Sequence, residues 1–130
     1  MTSPLTHCWP EDRDQALLIG RIWQPGTGPV LVAAHNQALW DLSALAPTSS
    51  ALLELPDAAQ RVRAHLASGQ AAPLGCADAV IANSDESQRD PTQAWLLAPC
   101  DLQAVKASGV TFVASMLERV IEEQARGDAS

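Results

Sequence analysis

Apolar and polar positions divide the chain into two regimes. Ala16-Leu-Leu-Ile-Gly-Arg-Ile-Trp23, Val30-Leu-Val-Ala-Ala34 and Ala38-Leu-Trp-Asp-Leu42 are short runs rich in aliphatic residues, bounded by turn chemistry. They predict three strands of an antiparallel meander. The first turn, Gln24-Pro-Gly-Thr-Gly-Pro29, lacks the Lys-Ser/Thr ending and following helix of a phosphate loop, so it is a hairpin turn. His35-Asn36 makes the second turn. Residues 43–50 have loop composition around Pro47, and Leu52, Leu53 and Leu55 form an apolar stretch that stops at Pro56. Asp57 is placed to cap a helix over 58–68 that buries Val62 and Leu66, with Gly69 as its stop. Residues 69–93 are small, polar and broken. Within them Ala77–Ala82 is too short to assign, and Asn83–Thr92 is polar without periodicity.

After that stretch the pattern changes. Ala94–Ala98 predicts one more strand, and a short run leads to Ser108-Gly109. In residues 112–126 Phe112, Val113, Met116, Leu117, Val120 and Ile121 then recur at helical spacing. The expected fold class is α+β. Residues 1–90 form an antiparallel β-rich domain with one helix near 57–68, and residues 91–130 open a second unit with a strand, a Gly turn and a helix.

Ser115, Glu118 and Glu122 are three and four apart, so they line one edge of the last helix; Glu122 and Arg126 form an i,i+4 pair. Spacing leaves two readings of that edge open. It is a solvated acidic face beside a core stripe, or Glu118 is a working carboxylate at the mouth of a pocket.

Composition narrows the partners. With 130 residues, 8 positive and 15 negative side chains and a net charge of −7, the chain lacks the basic surface that nucleic acid or an anionic membrane requires. No apolar run approaches the roughly 18 residues of a membrane span, and the first ten residues carry no signal-peptide pattern. A cytoplasmic location is expected. Cys8, Cys76 and Cys100 are widely spaced and form no Cys-x-x-Cys motif, which predicts reduced, partly buried thiols rather than a zinc clip. His7, His35 and His65 are scattered and suggest no metal site.

The residues Ala98-Pro99 and Gly109-Val-Thr-Phe-Val-Ala-Ser-Met-Leu-Glu118 resemble the entry to the catalytic domain of the fumarylacetoacetate hydrolase family. Members there carry Gly-x-Asn-Tyr-x-x-His-x-x-Glu. Gly109 stands at the motif's Gly, Thr111-Phe112 at the Asn-Tyr pair and Glu118 at the Glu of the His–Glu dyad. Ser115 replaces the His. The stretch is closer to a branch with the pattern Gly-Val-Thr-Phe-x-x-Ser-Met-Leu-Glu-Arg-Val-Ile-Glu-Glu, which includes dehydratases of 2-keto-3-deoxy sugar acids. The resemblance is specific over roughly residues 94–126 and only general over the first ninety.

A His suits activation of water for cleaving a carbon–carbon bond; a Ser does not. A carboxylate of raised pKa suits removal of a proton alpha to a ketone. The resemblance therefore implies a lyase acting on a 2-keto acid. Glu118 and Ser115 would be its catalytic residues, Thr111 and Phe112 would contact substrate, and Arg119 is the nearby cation for an anionic substrate. It also implies Mg2+ or another divalent cation in the full-length enzyme, and a homodimer. The family's large β-sandwich and its Glu-x-Glu and Asp metal ligands follow this point. No Glu-x-Glu occurs here, so these residues are expected to be the start of a longer enzyme and inactive by themselves. The alternatives are a hydrolase of a carbon–carbon bond in a diketo acid, and an acidic interaction module without chemistry.

Overall fold

A computed structural model describes residues 7–109 and 113–125 of the chain. The elements are β1 (Leu18–Gln24), β2 (Gly28–His35), β3 (Ala38–Asp41), α1 (Ser49–Glu54), α2 (Ala58–Ala67), β4 (Pro73–Cys76), α3 (Ala77–Ala82), β5 (Trp95–Leu97) and α4 (Val113–Ala125). The five strands form one sheet in the order β4-β3-β2-β1-β5, with every neighbouring pair antiparallel. The fold is α+β.

The expected meander is present. β1 and β2 pair from Leu18↔Ala34 to Gln24↔Gly28, across a turn in which Gly26 and Gly28 take φ of 82° and 102°. Only glycine adopts such angles freely, which is why the turn carries it. β2 and β3 join through Asn36 and Gln37, both at positive φ, the conformation a two-residue hairpin turn needs to match strand twist.

β2 is the central strand and is buried on both sides, as its unbroken aliphatic run requires. Val30 and Val32 face one way, packing with Ile22, Leu39 and the α3 residues Ala77 and Val80. Leu31 and Ala33 face the other way, packing with Leu42, Ala46, Leu52 of α1 and Val62 of α2. The domain is thus a sheet sandwiched between α3 on one face and the α1–α2 pair on the other.

Several elements differ from the sequence expectation. Residues 49–54, expected to be loop and an unassigned apolar stretch, form α1. Thr48 caps it, its side-chain oxygen accepting from the Ala51 N–H at 3.0 Å. Asp57 precedes α2 as expected, but its backbone is left-handed and its side chain makes no capping bond. Residues 73–76 form the edge strand β4, and 77–82 form α3. The three cysteines are free and exposed, not partly buried.

The strand expected to begin a second unit belongs to this sheet. β5 pairs with β1 through Arg21↔Leu97, Ile22↔Leu96 and Trp23↔Trp95. The polar stretch 83–92 before it is held within the fold. Asn83 Nδ2 donates to the carbonyls of Asp90, Gln93 and Ala94, and its Oδ1 accepts from the Asp90 N–H. Ser84 Oγ donates to the Val80 carbonyl and accepts from the Leu96 N–H. These bonds tie α3 to β5. Among the described residues no helix is long and apolar enough to cross a membrane.

Candidate functional site

The chain beyond β5 carries the residues to which the sequence points. It leaves the sheet through a polar cluster. Arg21 lies opposite Leu97 in the β1–β5 ladder, and its guanidinium reaches along the departing chain. Nη1 donates to the carbonyls of Ala98 and Cys100 at 3.1 and 3.2 Å, and Nε stands 3.4 Å from Asp101 Oδ2.

The Asp101 side chain is only 8% exposed, a costly position for a carboxylate unless its oxygens are satisfied. They are. Oδ2 accepts from the Ser49 N–H at 2.8 Å; Oδ1 accepts from the Ser50 N–H, the Ser50 hydroxyl and the Leu102 N–H at 3.1, 2.8 and 2.7 Å. The first two amides begin α1, where backbone N–H groups lack helical partners and the helix dipole favours a negative charge. Ser49, itself buried, donates its hydroxyl to the Pro99 carbonyl.

Burial raises the Asp101 pKa. The bonds from Leu102, the Ser50 hydroxyl and the Ser49 and Ser50 amides outweigh it, holding the carboxyl far below its ordinary range. Asp85 and Asp90 are lowered too. The Asp85 carboxyl accepts from the Ser87 hydroxyl and amide, the Asp90 carboxyl from those of Thr92.

The consequence for stability has a definite sign. A carboxyl with a depressed folded-state pKa stabilises the fold above its unfolded value of 3.8, and this contribution is lost as pH falls toward the folded value. The unfolding free energy is therefore expected to be flat above about pH 5 and to drop steeply below about pH 4. Asp101→Asn should be less stable at neutral pH and lose less on acidification. Urea unfolding at a series of pH values checks this; parallel curves for the two proteins would contradict it.

Beyond the cluster, residues 104–109 are exposed. α4 then begins at Val113, close to the expected start, and its described side chains are open to solvent. Val113, Met116, Leu117, Val120 and Ile121 are 44–68% exposed. Glu118 and Arg119 are exposed as well. Thr111, Phe112 and Arg126 lie outside the described residues, as does the Ser115 side chain. Ser115 and Glu118 thus share one helix, and the structure does not bring them together with the Asp101 cluster. Among the described residues no group of three His, Cys, Asp or Glu side chains could hold a metal ion.

Four clefts in the domain, with volumes of 140 to 260 Å3, are lined by the sheet and its β2–β3 turn, α2, α3, residues 8–16 and residues 83 and 92–94, and none of the four is lined by a described residue of α4. All are smaller than the roughly 300–1,000 Å3 typical of small-molecule sites. In one, Trp9 Nε1 donates to Asp78 Oδ1 at 2.8 Å and the Arg13 guanidinium stands 5.5 Å from the Trp9 ring centre. This contact ties the segment before β1 to α3.

Nothing in the sequence marks Asp101, Arg21 or Ser49 and Ser50 as partners, because they are 28 to 80 positions apart. The readable part of the cluster is local: Thr48-Ser-Ser before Ala-Leu-Leu is a helix-start signal. Comparisons with family models, curated proteins and solved structures found no match for this chain.

Proposed function

We propose that this chain is the amino-terminal part of an enzyme similar to the fumarylacetoacetate hydrolase family, acting on a 2-keto acid and dehydrating a 2-keto-3-deoxy sugar acid. The observation that carries the reading is α4. Its exposed apolar stripe starts within the motif-like stretch Gly109–Glu118, of which Val113–Glu118 lie in α4, and a stripe of this kind marks a surface that packs against something. Glu118 stands three residues before Ile121 and so borders the stripe on one edge. A wall docked on the stripe would leave the carboxylate at the rim of a partly dry cavity, within reach of a substrate proton.

In that cavity Glu118 would take a proton from the carbon alpha to the ketone. The electron pair forms the new double bond as the beta hydroxyl leaves, and that hydroxyl departs as water after gaining a proton. Ser115 would hold the substrate or orient Glu118, Thr111 and Phe112 would contact the substrate, and Arg119 would face its anionic end. A divalent cation such as Mg2+ would supply stabilisation of the enolate; the described residues offer it no cluster of ligands. The finer fold assignment, in which residues beyond β5 open a mixed β-sandwich, and a homodimeric, cytoplasmic enzyme belong to the same reading.

The test is an assay of the polypeptide in which this chain is followed by a carboxylate-bearing domain, with Mg2+, against a 2-keto-3-deoxy sugar acid and a diketo acid. Dehydration of the first supports the reading. Cleavage of the second selects the hydrolase instead. Turnover of neither leaves the acidic interaction module. Residues 1–130 alone are expected to show no turnover.

A further inference from the structure

The apolar core of the domain closes without the tail. Its buried hydrophobic side chains run from Ile22 to Ala33, from Leu39 to Leu52, and then from Val62 to Ile81. Among the described residues, the last one packed against them is Leu96. Beyond β5 the described chain is held by polar contacts gathered around Asp101: four hydrogen bonds onto its carboxylate, the Arg21 grip on two carbonyls, and Gln103 Nε2 donating to Ser49 Oγ at 3.3 Å. From Ala104 to Gly109 every residue is exposed.

We propose that the Asp101 cluster is a latch: it fixes where the α4-bearing tail leaves the sheet, and loss of the carboxylate's charge frees residues 98–109 from a core that stays folded. This inference does not rest on the catalytic reading. Its chemistry follows from the donor set. Both carboxylate oxygens face only donors, namely three backbone N–H groups, one hydroxyl and the guanidinium. A carboxamide of the same shape would turn an NH2 toward some of those donors, leaving them unpaired. These bonds lie outside the strand ladder and outside the side-chain packing of the two apolar clusters.

Amide exchange followed by NMR on the 130-residue chain tests the latch. In Asp101→Asn the amides of Ser49, Ser50 and Leu102 are expected to exchange at least about tenfold faster, as for loss of charge-assisted bonds in a local opening. The amides of Val30–Ala33 in β2 open only with the whole fold, so they should stay better protected than these three in both proteins, and their chemical shifts should keep their wild-type values. Ser50→Ala, which leaves the charge in place, should accelerate the same three amides by a smaller factor. Unchanged rates at Ser49, Ser50 and Leu102 in both variants would overturn the latch, because something else then holds the segment. Equal protection of these three amides and those of β2 in the wild-type chain, or an Asp101→Asn protein that does not fold, would overturn it too, since the segment would then be part of the cooperative core.

Discussion

Leu31→Ala is expected to lower the free energy of unfolding by about 2–5 kcal/mol, a large share of the roughly 5–15 kcal/mol that holds a domain of this size together. Leu31 is 2% exposed on the central strand, in one cluster with Leu52 of α1 and Val62 of α2. Truncation removes its transfer free energy and leaves a void. The void cannot close by moving β2, because Val30 and Val32 anchor the other face of that strand. Leu53→Ala is the matched control: Leu53 is 59% exposed, and such a surface change should stay within about 0.5 kcal/mol. Urea midpoints read by the fluorescence of the tryptophans separate the two. Equal shifts would mean that the burial pattern of β2 is not what holds the sheet.

That strand was also the most legible part of the chain, for the same physical reason. A run of aliphatic residues bounded by Pro/Gly and Asn turns has few alternatives to a buried strand, and Gly26 and Gly28 supply the angles its hairpin needs. α2 was legible from its periodic apolar pair and Gly69. The structure departs where local signals are short or contradictory. α1 has only six residues, too few for periodicity, and Pro47 and Pro56 on either side read as loop. Its start lies in the Thr48 cap, and its stability comes from Leu52 entering the core. β4 contains a Pro and a Gly, which suit an edge strand and weaken any strand pattern. The polar run 83–92 read as a junction because it lacks apolar residues. It is instead organised by Asn83 and by the Asp85–Ser87 and Asp90–Thr92 side-chain turns, whose Asp-x-Ser/Thr spacing is visible once sought.

The tail divides in the same way. The helical period of residues 113–121 marked α4 and its stripe, and the structure has the helix there with the stripe uncovered. How the tail is fastened was not legible, because Asp101 meets Arg21 and Ser49 only through the closing of the sheet by β5. No local pattern records a contact between positions 80 and 52 residues apart. What packs on α4 lies beyond any pattern within α4 itself, which is why the stripe and the carboxylate beside it carry a proposal and not an observed pocket.

Glu118→Gln is therefore the decisive substitution for the catalytic reading. In the polypeptide that turns over the keto acid, it should lower kcat by about 10²–10⁴-fold with a much smaller change in KM, as expected when a positioned proton acceptor is replaced by an isostere that cannot take the proton. It should also remove the rise of rate with pH that a carboxylate base imposes. Fold stability should hardly move, because Glu118 is exposed in the described chain. That separates a chemical effect from a structural one. Glu122→Gln, one turn further along the same edge and equally exposed, should keep kcat within about twofold, since a helix-surface carboxylate away from the reacting atoms contributes little. A Glu118→Gln enzyme with wild-type kcat and an unaltered pH profile would return this edge of α4 to its plainer role, a solvated acidic face beside a docking stripe.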